Sequence, residues 1–266
     1  MPSILAGIVA RTREDLEERR RNVSIRELES AITVTERDFA GALARAGEAR
    51  PGARRSRLGL IAEFKPRSPS RGPIRPGAKP EDIIPIYDRY ADAISVLCDG
   101  PHFGGGYPLL AAARALTDRP ILAKDFVVDV YQIAEARRAG ADAVLLMMSV
   151  LADEDARHLL AYARALGMEP LVETHDAREL ERALALDARV IGVNSRDLRT
   201  LSIDTDAMVR LLEQVPVELV RVAESGVEQP SDTARLVGLA DAALVGSTLM
   251  AAPDIEAKLE ELGWNA

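Results

Sequence analysis

From residue 58 onward, short apolar runs alternate with amphipathic segments, and this rhythm restricts the fold of the 266-residue chain more than any other feature. The runs fall at 58–64, 92–97, 120–123, 142–147, 170–172, 189–193, 219–223 and 241–245. Ile, Val, Leu and Ala dominate them, and their near-continuous apolar character is that of strands covered on both faces. The segments between them, such as 130–139, 152–166 and 177–186, carry apolar residues at helical spacing. Gly140 and Gly167 follow two of these segments, where a helix C-terminus favours glycine. The repeat of strand plus helix is the size of a βα unit. Eight such units predict an α/β fold, a (βα)8 TIM barrel. An open doubly wound sheet is the alternative, but no G-x-G-x-x-G or G-x-x-x-x-G-K-[ST] sequence follows any run.

Residues 1–50 have no strand-like run. Ile4, Leu5, Ile8, Val9 and Leu16, then Leu28, Ile32 and Phe39, keep helical spacing, and Ser24 with Glu27 three positions on reads as a capping box. Two or three helices are expected, forming an N-terminal extension over the barrel mouth, with an Arg/Gly/Pro-rich linker at 50–57 leading into the barrel at 51–266. Extension and barrel are read as a single domain overall.

Charge and cysteine usage narrow the function. The net charge of −8 is unfavourable for nucleic acid or an anionic membrane, so neither is expected as a partner. The longest apolar run, 143–148, is far short of the roughly 20 residues needed to cross a bilayer. A single cysteine, Cys98, rules out an intrachain disulfide and suits a reducing, cytoplasmic setting. Three scattered histidines and no ligand spacing give no metal site. Only four of the 34 basic residues are lysines: Lys65, Lys79, Lys124 and Lys258. A chain that uses arginine for nearly every cation retains lysine where an ammonium is needed.

In a barrel, chemistry gathers at the C-terminal ends of the strands. The first run ends in Glu63 and Lys65, two apart and so pointing the same way, with Phe64 facing the helices. The third ends in Lys124, the fifth in Glu173-Thr174-His175, the sixth in Asn194, the seventh in Glu224. Three carboxylates and two ammoniums converging on one mouth can nearly neutralise each other, the condition under which buried charges are tolerated and their pKa values pushed apart. Glu224-Ser225-Gly226 and Gly246-Ser247, after the last two runs, stand where barrels bind phosphate through backbone N–H groups. A phosphorylated small molecule is the expected substrate.

These residues resemble the indole-3-glycerol phosphate synthase family. The resemblance is carried by Ile61-Ala-Glu63-Phe-Lys65-Pro-Arg-Ser68-Pro69-Ser70-Arg-Gly72, by Lys124-Asp125-Phe126 with Tyr131-Gln132-Ile133, and by Leu171-Val-Glu173-Thr-His175. It continues in Ile191-Gly-Val-Asn194-Ser-Arg196-Asp197-Leu198, Ala223-Glu224-Ser225-Gly226-Val227 and Leu244-Val-Gly246-Ser247. It implies a carboxy-lyase of tryptophan synthesis that closes 1-(2-carboxyphenylamino)-1-deoxyribulose 5-phosphate to indole-3-glycerol phosphate, with loss of CO2 and water and with no cofactor or metal. It further implies Lys124 as general acid, a role closed to arginine, which does not release its proton. Glu173 would be a second acid–base group, with Glu63 and Lys65 orienting it and the substrate. Asn194 and Glu224 would hold hydroxyls and charge, and Arg196 the anthranilate side. Gly226, Gly246 and Ser247 would bind phosphate, with Ser68 and Ser225 nearby. A monomer is the default state, with a complex with other tryptophan-pathway enzymes also open.

The chain departs from the family pattern at Cys98-Asp99-Gly100-Pro101-His102-Phe103-Gly104-Gly105-Gly106, where Phe103 is kept but the usual serine is Gly106, and at Pro66. The triple glycine reads as a loop able to close on the substrate's ring. Two other classes fit part of the pattern. One is a sugar-phosphate isomerase such as phosphoribosylanthranilate isomerase, which uses a Cys or Asp on the first strand. The other is a non-catalytic phosphate-ligand sensor, which has no need of Lys124 beside carboxylates.

Overall fold

Each of the eight apolar runs forms a strand in the computed structural model, which describes residues 4–45, 57–197 and 200–266. The strands are β1 (Gly59–Phe64), β2 (Ala93–Leu97), β3 (Ile121–Lys124), β4 (Ala143–Met147), β5 (Leu171–Thr174), β6 (Val190–Asn194), β7 (Val220–Glu224) and β8 (Ala242–Val245). All neighbours pair in parallel, and β8 returns to β1, so the sheet closes into a barrel without edges. Between and after the strands lie helices including Pro80–Tyr90, Val130–Arg138, Asp153–Ala165, Ala177–Leu184 and Thr205–Leu212. Asp129, Asp176 and Asp204 cap three of them by accepting backbone N–H groups.

The two-residue period of the strands builds two cores. Leu60, Ala62 and Phe64 of β1, like Ile121 and Ala123 of β3, point outward and pack with the helices. Ile61, Leu122, Leu145, Leu171, Val222 and Leu244 point inward and fill the barrel. Continuing each inward row by two residues reaches the mouth. Ile61 leads to Glu63, Leu122 to Lys124, Leu171 to Glu173, and Val222 to Glu224. The same phase that buries leucines in the barrel thus delivers charges to its upper end.

The N-terminal segment forms three helices, α1 (Ile4–Asn22), α2 (Ile25–Ser30) and α3 (Phe39–Arg45), with the capping box at Ser24 and Glu27 present. It does not lie over the mouth as one unit. Leu5 and Ile8 of α1 join the inner core at the mouth, while Leu16 and Leu28 pack on Tyr131 and Ala134 at the barrel's side. The chain then runs to the opposite end, where Thr35 Oγ1 donates to Asp142 at 2.5 Å and Arg37 to the Asp118 carbonyl at 3.2 Å. There Phe39, Ala40 and Leu43 of α3 join the inner core beneath β1, β2 and β7. Small residues such as Ala93, Ala143 and Ala242 begin the inward rows at this end, and α3 supplies the volume they leave open. Gly167, at φ +76°, allows the crossing, because a side chain there would collide with the Thr35 carbonyl. The linker read at 50–57 lies, apart from Arg57, outside the described residues, as does Leu198.

Candidate active site

The top inward positions of the eight strands are Glu63, Leu97, Lys124, Met147, Glu173, Asn194, Glu224 and Gly246, and all of them line one cavity at the mouth. The register sets Asn194 beside Glu224, and Met147 beside Glu173. Lys124 is the hub. Its Nζ donates to Glu173 Oε2 at 3.1 Å and also to Glu224 Oε2. Lys65 Nζ donates to Glu63 Oε2. The three glutamates are almost wholly buried. Two glycines make the room: a side chain at 192 would strike the Glu224 carboxylate, and one at 246 that of Glu63.

The electrostatics are divided. Burial works against the Lys124 ammonium, but Glu224, Glu173 and Glu63 outweigh it, and its pKa is raised above the ordinary lysine value. Burial likewise opposes ionisation of Glu173, yet Lys124 and His175 hold its pKa below the usual carboxylate range. For Glu224 burial prevails over Lys124, and Glu173 adds to it, so this carboxyl is pushed up. Two carboxylates around one ammonium therefore differ in proton affinity, the arrangement that separates an acid–base pair. Glu173 Oε1 and Glu224 Oε1 are buried without a hydrogen-bond partner among the described residues. An acceptor left this way costs about 1–3 kcal/mol, which fits atoms that complete their bonding with a ligand.

The rest of the cavity has two characters. Leu5, Ile8, Phe103, Phe126 and Leu145 make an apolar side, with the rings of Phe103 and Phe126 6.0 Å apart. Across the mouth, Ser225, Gly226, Gly246, Ser247 and Thr248 line a polar side. Ser225 and Gly226 both adopt positive φ, +66° and +80°, and the chain from Gly246 turns into a short helix, Ser247–Ala251. Successive backbone N–H groups in such turns form anion-binding concavities. Arg196 stands at the rim, donating to the Leu201 carbonyl at 3.2 Å, and Asn194 Oδ1 accepts the Arg196 N–H at 3.0 Å. Ser68 is buried in a hairpin of Arg67–Ser68 with Gly72–Pro73, from which Arg71 reaches Glu228 at 2.8 Å.

Glu63, Lys65, Lys124, Glu173, Asn194 and Glu224, with Ser68, Phe103, Arg196, Ser225, Gly226, Gly246 and Ser247, all line this one cavity. The 98–106 loop is held more firmly than its glycines suggest. Asp99 accepts the N–H groups of His102 and Phe103, and the N–H groups of Gly104, Gly105 and Gly106 donate to the carbonyls of Gly100, Asp99 and Leu97. Gly105 is needed for close approach, since a side chain there would meet the Leu97 carbonyl. Sequence reasoning missed Leu145 and Met147 and gave Phe126 no role, although their place in the lining is readable once the barrel is known. It also named His175, two residues beyond Glu173, without giving it a role, although the same spacing had identified Lys65 beyond Glu63.

The family model for indole-3-glycerol phosphate synthase matches residues 5–262 of the chain. Indole-3-glycerol phosphate synthase 2 of Streptomyces coelicolor is 46% identical over 259 residues, covering 96% of each chain. The synthase of a Nocardioides strain is 43% identical over 98% of each. Tryptophan biosynthesis protein TrpCF of Yersinia pestis is 41% identical over 88% of this chain, which spans 47% of that longer protein. Among solved structures, 3-hexulose-6-phosphate synthase superposes over 77% of this chain and 97% of its own with a TM-score of 0.60 at 17% identity, a likeness of fold alone.

Proposed function

The chain belongs to the indole-3-glycerol phosphate synthase family, and from that premise we propose how the residues of its mouth divide the reaction among them. The reaction is that of a carboxy-lyase of tryptophan biosynthesis: 1-(2-carboxyphenylamino)-1-deoxyribulose 5-phosphate gives indole-3-glycerol phosphate, CO2 and water. The single observation that carries the assignment is Lys124, a buried ammonium held by two carboxylates where the apolar and polar sides of the cavity meet.

The aromatic ring of the substrate takes the apolar side, and its phosphate the backbone of 225–226 and 246–248. This sets the ketone carbon over the charged layer. As the ring carbon bonds to it, the ketone oxygen becomes an alkoxide, more basic than any amine, and Lys124 protonates it. A lysine that rests fully charged suits this task. The carboxylate then leaves as CO2 and its bonding electrons restore the aromatic ring. The new hydroxyl leaves as water, taking a proton, while the adjacent carbon gives one to a carboxylate. Glu173, kept ionised beside two cations, is suited to accept it. Lys65 and Lys124 are the ammoniums that the described cavity offers as donors. Glu63 orients Lys65, and Asn194, Glu224 and Arg196 hold the sugar hydroxyls and the ring carboxylate.

The buried, unpaired thiol of Cys98 supports a reducing cytoplasm as the working compartment. A monomer is the working form, and the greater length of the TrpCF relatives supports operation beside a further tryptophan-pathway enzyme. The test of the reaction is to mix the purified chain with the carboxyphenylamino substrate and follow indole fluorescence together with CO2. Equimolar indole product and CO2 are expected. Binding of the compound with release of neither would leave a ligand sensor.

A further inference from the structure

His175 stands immediately beyond β5, outside the lining of the cavity, and is mostly buried. Its Nδ1 lies 3.0 Å from Glu179 Oε2, and its own backbone N–H donates to the same oxygen at 2.8 Å. Glu179, in the first turn of the helix Ala177–Leu184, is itself fixed by Asp176, which caps that helix through the Glu179 N–H. The imidazole is therefore clamped from one side. Its other nitrogen, Nε2, faces Glu173 Oε1 at 3.3 Å, off the line of a hydrogen bond.

This geometry selects a protonation state. A carboxylate at Nδ1 requires a proton there. If Nε2 carried none, its lone pair would face a second carboxylate oxygen, and two negative groups would be pressed together in a buried site. Only the doubly protonated ring both donates to Glu179 and sets positive charge against Glu173. The contacts of Glu173 point the same way: among the described residues its cations are Lys124 and His175. At the moment Lys124 gives up its proton, Glu173 and Glu224 lose the cation between them. Glu173 keeps a second cation only through His175.

We propose that His175 is a positioning residue for Glu173: as an imidazolium clamped by Glu179, it holds Glu173 ionised and oriented while Lys124 is neutral. The inference rests on Lys124 being the general acid. The charged groups facing the ring are Glu173 on its own strand, Glu179 on the following helix and, beyond Glu173, Glu224 on β7. Burial opposes the charged ring, but the Glu179 hydrogen bond and the Glu173 and Glu224 charges raise its pKa to about 9.

The experiment is a pH series of kcat and KM for the wild type, His175→Gln, Glu179→Gln and Lys124→Arg, with Tm recorded for each. In the wild type, kcat falls above about pH 9 as the ring loses its proton. In His175→Gln, kcat drops about tenfold or more, the equivalent of one pKa unit or more at Glu173. KM changes little, the alkaline fall at this pH disappears, and the acid limb moves upward because Glu173 has lost a cation. In Glu179→Gln the alkaline fall moves to lower pH. A His175→Gln enzyme with the wild-type profile, or one whose kcat falls at every pH alike in step with Tm, overturns the proposal. Near wild-type turnover in Lys124→Arg overturns the acid assignment instead, so the two failures are told apart. Should His175→Gln not fold, the shift in Glu179→Gln decides: an unmoved alkaline limb there overturns the proposal.

Discussion

The two ends of the barrel are both built from carboxylates and cations, yet they are wired in opposite ways. At the floor, Asp92, Asp142 and Asp241 each stand just ahead of a strand, and each accepts a backbone N–H from the neighbouring strand: Leu60 at 2.9 Å, Ile121 at 3.0 Å and Arg221 at 2.7 Å. Their remaining lone pairs go to arginines. Arg57 binds Asp92 at 2.6 Å, Arg114 and Arg137 bind Asp142 at 2.9 and 3.1 Å, and the Arg221 side chain reaches Asp241 at 3.3 Å. At the mouth the buried glutamates pair with Lys65, Lys124 and His175, and Glu173 Oε1 and Glu224 Oε1 accept no hydrogen bond among the described residues. Arginine holds its proton and fills a carboxylate's lone pairs as a fork, whereas lysine is a point charge that can lose its proton. The saturated end holds strands in register. The unsaturated end keeps protons transferable and bonding capacity open.

The largest expected effect tests the mouth. Lys124→Arg keeps a cation between Glu173 and Glu224 but removes the transferable proton, so kcat falls by about 10²–10⁴-fold, the usual worth of general acid catalysis. Tm stays near the wild-type value because charge pairing survives. Single-turnover kinetics and a melting curve check both halves, and an active arginine variant would erase the distinction between the two ends.

The floor gives the mirror result. Asp142→Asn leaves the shape of a fully buried side chain but removes the charge that Arg114 and Arg137 share, and breaking a buried pair in this way costs about 3–5 kcal/mol. Urea unfolding should register that loss, while kcat of the protein that remains folded is within about twofold of wild type, since sites this far apart act independently. Loss of turnover without loss of stability would mean that the floor feeds the chemistry.

Much of this could be read before the fold was seen, because the two-residue phase of a strand is written in the chain. Lys124 follows Leu122 and Glu173 follows Leu171 at the spacing that carries an apolar row to the mouth. The floor was harder. Ala-Asp-Ala recurs at 91–93, 141–143 and 240–242, a repeat visible in the sequence. Its meaning depends on which backbone N–H lies opposite, and Leu60, Ile121 and Arg221 come from other strands. Helical spacing likewise marked Leu5, Ile8 and Phe39 as one apolar pattern, without showing that the first two lie at the mouth and the third at the floor. His175 stayed hidden because its orientation depends on Glu179, on the next element.

Within the mouth, the apolar and polar sides should also separate. Phe103→Ala removes the ring that packs on Phe126, and aromatic pairs are worth about 0.5–1.5 kcal/mol beyond buried area. KM for the aromatic substrate should rise about tenfold at most, while affinity for a polyol phosphate lacking the ring hardly changes. Parallel titrations of the two ligands check it. Equal weakening of both would mean that the 98–106 loop supports the whole mouth rather than the ring side.

The smallest effect probes how the N-terminal segment is tied to the floor. Thr35 is buried, donates its hydroxyl to Asp142 and accepts the Arg37 N–H at 3.2 Å, so it fixes the approach to α3. Thr35→Val keeps the branched shape and loses both bonds. Asp142 retains Arg114, Arg137 and the Ile121 N–H, so no charge is orphaned, and the loss should be about 1 kcal/mol, that of an ordinary hydrogen bond. Leu5 and Ile8 still reach the mouth through α1, which is anchored separately by Arg19 to Glu135 at 2.6 Å, so kcat and KM should not move. Paired with Asp142→Asn in a double-mutant cycle, Thr35→Val should show coupling of about 0.5 kcal/mol or more, since the two side chains touch. Strict additivity would break the view that the floor carboxylate organises the N-terminal segment. A fall in kcat at unchanged stability would show that the crossing from mouth to floor also sets the position of α1 over the substrate's ring.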